Sequence, residues 1–177
     1  MSQNTFTSIC TFVIIFHVIF LCHCNTPQSY GEFILKITDL GVCKGPKRND
    51  CINMTARFEN DTNLLIDAQI TEDVIPNRGK VEAMMNNKPL LRLQMKKPCD
   101  HLFMKPLFQQ IYNVSQNCEF KKGNYSLKID IEDIAQKYYG GMFLYGSLTF
   151  KSIFYNDKCN FSCVIIAVTF SPKNKAK

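Results

Sequence analysis

The stretch Cys51-Ile52-Asn53-Met54-Thr55-Ala56-Arg57-Phe58-Glu59-Asn60-Asp61-Thr62-Asn63-Leu64-Leu65-Ile66-Asp67-Ala68-Gln69-Ile70 decides the fold class. Ile52, Met54, Ala56 and Phe58 alternate with Asn53, Thr55 and Arg57, while Leu64, Ile66, Ala68 and Ile70 alternate with Asp67, Gln69 and Thr71. Side chains that switch between apolar and polar at every step belong to a strand with one face on a core and one in water. Between the two runs, Glu59 to Asn63 is short and polar, which predicts a hairpin.

The same period recurs on both sides of this stretch. Leu91, Leu93 and Met95 alternate with Arg92 and Gln94, and Tyr125, Leu127, Ile129 and Ile131 alternate with Ser126, Lys128 and Asp130. Phe33 to Leu40 and Lys80 to Met85 add two strands. Met142 to Phe154 and Phe161 to Phe170 read as a long closing hairpin that turns at Asn156-Asp157-Lys158. The expectation is an all-β chain, a two-sheet antiparallel sandwich of about eight strands. One segment departs from it. Leu102, Phe103, Leu107, Phe108 and Ile111 fall at helix-like spacings with Asp100 as an N-cap, and Pro106 predicts two short turns rather than one rod.

Residues 1–24 contain no charged side chain and carry the apolar run Ile9 to Leu21, followed by Cys22-His23-Cys24, which supplies the small residues a signal peptidase needs. The run is shorter than the roughly 18 residues of a spanning helix. A cleavable signal peptide over 1–24 is therefore expected, leaving 25–177 as a single domain in an oxidising, secretory setting. Of the nine cysteines, six lie beyond the leader: Cys43, Cys51, Cys99, Cys118, Cys159 and Cys163. An even number suits three disulfides. Zinc is the rival, but Cys159 and Cys163 form a doublet without a second doublet or a His partner. Sequons at Asn53, Asn60, Asn113, Asn124 and Asn160 predict a glycoprotein. Sugar on Asn53 and Asn124 turns Ile52, Met54, Ala56 and Phe58, and Tyr125, Leu127, Ile129 and Ile131, toward the core, the face that the apolar pattern also selects.

Catalytic chemistry has little to draw on. Beyond the leader His101 is the single histidine, there is no tryptophan, and no G-x-S-x-G or glycine-rich phosphate loop occurs. One histidine cannot supply two ligands to a metal, and Asp130, Glu132 and Asp133 lack the regular oxygen spacing of a calcium loop. They read as a solvated strand end, and His101 as a surface residue at a helix start. No enzyme, cofactor or metal is expected. The net charge of +6 gathers at Lys44/Lys47/Arg48, Lys96-Lys97, Lys121-Lys122 and the tail Lys173, Lys175 and Lys177. Such clusters suit anionic head groups or a negative partner surface, or keep turns soluble. Without interleaved aromatics they do not point to nucleic acid.

Cys99 ahead of an amphipathic segment, then Asn117-Cys118-Glu119-Phe120-Lys121-Lys122-Gly123-Asn124-Tyr125-Ser126-Leu127-Lys128, resembles the C-P-[apolar]-x-K-G-x-Y signature of arthropod secreted CheB-type proteins. Those in turn resemble the ganglioside-activator branch of the ML lipid-recognition fold. Cys43 and Cys51 ahead of Ile52-Asn53-Met54-Thr55-Ala56-Arg57, and Cys163 leading Val164 to Phe170, are similar to that family's cysteine-led strands. Glu119 stands where the family has proline. The resemblance spans roughly Phe33 to Phe170, and Cys118 to Tyr125 is its most specific part.

The resemblance implies a β-cup with an apolar cavity between two splayed sheets, a Cys99–Cys118 bridge near its mouth, and chemosensory or lipid-carrying work. The other four cysteines stay open between local pairs (Cys43–Cys51 and Cys159–Cys163) and long ones tying the first strands to the last hairpin. The expected ligand is a lipid or lipid-like semiochemical. The cavity would be lined by Met54, Phe58, Leu64, Ile66, Leu93, Phe103, Leu107, Phe108, Leu127, Ile129, Leu148 and Phe150. Phe103 to Ile111 would act as a lid or membrane-touching loop, and Lys96, Lys97, Lys121 or Lys122 would receive an acidic head group. A membrane surface or receptor is a further expected partner. The same inward residues also suit a packed sandwich that binds a protein through its loops, as a secreted effector or signalling module.

Overall fold

The structure is a computed structural model that describes residues 30–112, 118–138 and 140–173. The leader over 1–24, the sequon at Asn113, and Lys175 and Lys177 lie outside the described residues. Ten strands and two helices follow in chain order: β1 (Tyr30–Val42), β2 (Asn49–Asp50), β3 (Ile52–Phe58), β4 (Asn63–Ile70), β5 (Arg78–Met85), β6 (Lys88–Lys96), α1 (Lys105–Tyr112), β7 (Gly123–Asp130), α2 (Ile131–Tyr138), β8 (Met142–Leu144), β9 (Gly146–Tyr155) and β10 (Cys159–Pro172). The larger sheet runs β6-β5-β9-β10-β1-β8 with β2 against β10, and the smaller runs β3-β4-β7. The chain is thus an antiparallel two-sheet sandwich in which, among the described residues, only β2 pairs in parallel.

The hairpin expected from Cys51 to Ile70 is the β3–β4 pair, with Met54 opposite Ala68 and Ala56 opposite Ile66. Asn60 closes its turn by accepting hydrogen bonds from the amides of Thr62 and Asn63. The β5–β6 turn rests on Asn86 and Asn87, both at positive φ, as a tight two-residue hairpin requires. Between β9 and β10, Asn156 accepts from the amides of Lys158 and Cys159 at the expected turn.

Three expectations change. The alternation from Tyr125 stops at Ile129, because Asp130 accepts a hydrogen bond from the Asp133 amide at 2.9 Å and starts α2. Asp130 therefore both ends β7 and caps α2, and Glu132 and Asp133 stand in the first turn of that helix. Met142 to Phe154 is two strands: at Gly146, φ is +129°, a conformation L side chains rarely adopt, and the short β8 leaves to pair with β1 at the opposite edge. A short 3-10 turn at Pro98–Asp100 precedes α1, so Asp100 is not a helix N-cap, and Pro106 sits in the first turn of α1, where its missing N–H costs nothing.

Disulfides join Cys43 to Cys163, Cys51 to Cys159 and Cys99 to Cys118. The third is the bridge that the family resemblance implies. The other two are long pairs, spanning 120 and 108 residues, so the local alternatives are excluded. Both land on β10 and tie the front of the chain to it, and closing loops of this size removes about 4–5 kcal/mol of unfolded-state entropy each in the chain-entropy model. Three disulfides are the usage of a chain folded in an oxidising compartment. Among the described residues no helix is long and apolar enough to cross a membrane.

Candidate functional site

Strand register defines what the two sheets present to each other. Paired residues in neighbouring antiparallel strands project to the same face. On the inner face of the large sheet, successive rows are Val168–Leu148–Met85, Ile166–Phe150–Ala83–Leu91, Val164–Ser152–Val81–Leu93 and, after Ser162, Phe154–Gly79–Met95. On the small sheet they are Phe58–Leu64–Ile129, Ala56–Ile66–Leu127, Met54–Ala68–Tyr125 and Ile52–Ile70–Gly123.

The buried side chains fall into two separate clusters at opposite ends of these rows. One gathers Ile70, Val74, Met95, Phe108, Phe120, Phe154 and Phe161 around the Cys51–Cys159 bridge. Phe108 packs edge-on to Phe154 at 4.9 Å, and Phe120 lies 4.2 Å from Phe161. The other gathers Phe33, Leu35, Ile37, Leu64, Ile66, Ile129, Leu148, Val168 and Phe170, with Ile134 of α2 closing it. Between Leu148 in one and Phe154 in the other run six residues of β9, about 20 Å.

In the middle rows, Val81, Leu93 and Tyr125 pack against the first cluster and Met54, Ala56, Leu127, Phe150 and Ile166 against the second, without being fully buried. Phe150, Ile166, Val164, Val81, Leu93, Met54, Ala56, Tyr125 and Leu127 all face inward yet are only half-buried, and Leu91 at the edge is 43% exposed. Ala83, Ile66 and Ala68 are the buried exceptions. A solid sandwich buries its centre most deeply and exposes its ends. Here the two fully buried clusters lie at the ends, and most of the apolar side chains between them are half-buried. Leu107 of α1 packs against both clusters.

The expected lining residues divide accordingly. Met54, Leu93, Leu107, Leu127 and Phe150 are the half-buried inward positions. Leu64, Phe108, Ile129 and Leu148 are 4% exposed or less and belong to the packed ends, and Ile66, at 6%, is buried in a middle row. Phe58, at the end of the edge strand β3, and Phe103 are 46% and 53% exposed. Ala56, Val81, Tyr125, Val164 and Ile166 are half-buried in the middle rows and lie outside the expected lining, because period-2 alternation tells facing from non-facing and says nothing of depth.

The lysines are placed by their partners. Lys121 bonds Glu119 at 2.9 Å and Asp73 at 3.0 Å, and these two carboxylates, Glu119 first, hold its pKa above the usual lysine value. The amide of Lys122 and then the Lys121 ammonium hold Asp73 below the usual carboxylate range. This knot fastens the Val74–Phe120 bridge beside the Cys99–Cys118 loop. Lys97 takes a left-handed conformation at the start of the 3-10 turn. Lys96, paired with Arg78, points away from the small sheet. His101 starts the helical segment by accepting from the amides of Met104 and Lys105, and its Nδ1 is buried without a hydrogen-bond partner.

Of the sequon asparagines, Asn53, Asn60 and Asn124 are exposed. Asn160 is 3% exposed and is a correction to the expected glycosylation pattern. Its Nδ2 donates to the Lys47 carbonyl at 2.9 Å and to Asp50 at 2.7 Å, and its Oδ1 accepts from the Lys47 amide at 2.8 Å. The nitrogen a glycan would occupy is already used, inside the protein. Among the described residues Cys51, Glu72 and Cys159 stand close enough to suggest a metal site, but the two sulfurs are joined to each other.

No family model matches the chain, and no curated protein does. No matching family therefore stands behind the arthropod branch of the resemblance. Among solved structures, chicken MD-1 complexed with lipid IVa is similar over 78% of this chain and 98% of that one, at 16% identity and a TM-score of 0.36. A protein from Archaeoglobus fulgidus matches 71% of this chain and 97% of its own at 9% identity and 0.27. Domains d3-d4 of the rat CD45 extracellular region match 77% and 64% at 9% identity and 0.24. At such identities and scores none of the three says what this chain binds.

Proposed function

We propose that this protein is a secreted, non-enzymatic glycoprotein that binds a lipid or lipid-like molecule between its sheets. The observation that carries the reading is the inverted burial of the interior, with packed ends and a half-buried apolar middle built on Phe150, Ile166, Val81, Leu93 and Leu127. Apolar side chains left partly in water at the centre of a sandwich are stabilised by an apolar guest, at about 0.8 kcal/mol per buried CH2 of that guest. Met54 and Met85 at the margins adapt to guests of different shape. Helix α1, whose Leu107 reaches both clusters, is placed to cover the guest. The Cys99–Cys118 bridge pins the segment that carries α1, as the ML resemblance implies.

The test is titration of an environment-sensitive fatty-acyl probe into the disulfide-bonded protein and into Leu93→Arg. An arginine at a half-buried edge position can reach water with its head group and leave the fold intact while placing charge at the apolar middle. Saturable binding by the wild type, weakened tenfold or more in a variant of unchanged melting temperature, supports the reading. Binding that the variant leaves unaltered refutes it.

A further inference from the structure

The outer faces of the two sheets differ in kind. On the outer face of the large sheet, three cross-strand rows repeat over β6, β5 and β9: Arg92–Glu82–Lys151, Gln94–Lys80–Ile153 and Lys96–Arg78–Tyr155. Five of the nine positions are cationic and one is a carboxylate. That carboxylate, Glu82, bonds Lys80 at 3.0 Å and lies 3.6 Å from Arg92, and these cations, Lys80 first and Lys151 last, hold it below the usual range. Asp157 at the strand end lies 3.5 Å from Arg78 and accepts from the Asn77 side-chain amide at 3.3 Å. Past Tyr155 the band continues, with the Lys47 ammonium 6.0 Å from the Tyr155 ring centroid. The three rows cover about 13 Å along the strands and about 10 Å across them.

The outer face of the small sheet is balanced. Arg57 bonds Asp67 at 2.6 Å, and Lys128 bonds Glu59 at 2.6 Å. Its end row is Asn53–Gln69–Asn124, which brings two exposed sequon asparagines onto one line, and Asn60 stands in the β3–β4 turn of the same sheet. Every described sequon that is open to solvent therefore lies on the small sheet, and the cationic face is left bare.

We propose that the β6-β5-β9 face is a docking surface for a sulfated polysaccharide. Arg78 and Arg92 can each offer two parallel N–H donors to a pair of oxygens of a tetrahedral sulfate, and the lysines add point charge between them. Charge complementarity alone would also suit an anionic membrane. The apolar members of the three rows, Ile153 and Tyr155, are both half-buried, and Leu90, 46% exposed near the β5–β6 turn, is a single leucine beside them, little to enter an acyl layer. A soluble polyanion is the better match. The inference is independent of a guest between the sheets.

Binding of the full-length, disulfide-bonded protein to heparin across a salt series tests it, with phosphatidylserine vesicles alongside. Arg92→Gln/Lys96→Gln/Lys151→Gln removes three cations and leaves Lys80 on Glu82. Arg57→Gln/Lys128→Gln/Lys137→Gln makes the same change in net charge away from the face. The first variant is expected to bind heparin roughly tenfold more weakly. Its salt slope is expected to fall by about two. The second variant should bind close to wild type. Glu82→Gln, which removes the carboxylate from the grid, should bind more tightly, and it tests the proposal even if the triple variant folds poorly. Equal loss in the two triple variants, or no wild-type binding at physiological salt, overturns the proposal. Binding to vesicles but not to heparin replaces the polysaccharide with a membrane.

Discussion

Replacing Asn160 by Ala perturbs the point at which sequence and structure disagree most sharply. The carboxamide is 3% exposed and makes three hydrogen bonds to the Lys47–Asp50 loop, one of them to the Asp50 carboxylate. Neutral bonds of this kind contribute about 1 kcal/mol each and a bond to a charged group about twice that, so the variant should lose roughly 4 kcal/mol. For a domain of this size that lowers the melting temperature by about 8–16 °C. Gly45→Ala should act on the same clamp, because a Cβ there would collide with the Asn160 side chain. The assay pairs thermal melting without reductant with the intact mass of protein secreted from eukaryotic cells. Asn160→Ala should change stability and leave the glycan mass unchanged, whereas Asn53→Gln should do the reverse. A folded, disulfide-bonded wild type that carries sugar on Asn160 would refute the reasoning.

Three further outcomes are expected. Leu148→Ala, at a 1%-exposed position in a packed end, should cost about 2–5 kcal/mol in urea denaturation. Phe150→Ala, two residues on in the half-buried middle, should cost clearly less and act mainly on binding of the fatty probe. Phe103→Ser should shift stability by no more than about 0.5 kcal/mol. Phe108→Ser, by contrast, should lose about 3–5 kcal/mol, since Phe108 is core and cannot be a freely moving part of a lid. Finally, Asp73 has a native pKa below its ordinary 3.8, so its contribution to stability is complete above that value and disappears as pH falls through the lowered native one. Asp73→Asn should therefore flatten the acid side of a plot of urea midpoint against pH while matching the wild-type slope near neutrality.

Where period-2 alternation meets a one-sided core, the chain announces its strands: β3, β4, β6 and β7 lie where Ile52, Leu64, Leu91 and Tyr125 begin their alternations. The helix α2 was masked because Ile131 extends the alternation of Leu127 and Ile129 by one step. Its real signals are the Asp130 cap and the spacing of Ile131, Ile134 and Ala135. The departure of β8 depends on one backbone angle at Gly146, which the apolar run around it does not disclose. The long cysteine pairs follow from which strands become neighbours in β10, and no local pattern encodes that. Asn160 shows the same limit in reverse, because a sequon is a three-residue signal and burial is a property of the whole sheet. Depth within the sandwich separates Phe150 from Leu148 and Phe103 from Phe108, and it too is set by packing across strands distant in sequence.

The central claim is that the half-buried middle of the sandwich holds an apolar guest. Native mass spectrometry of the secreted protein with trimmed glycans, coupled to lipid extraction, tests it most directly. A co-purifying hydrophobic species that leaves on denaturation and is diminished in Leu93→Arg is the expected result. A clean unliganded mass, together with failure to take up a fatty-acyl probe, would contradict it and mark the middle rows as a loosely packed core.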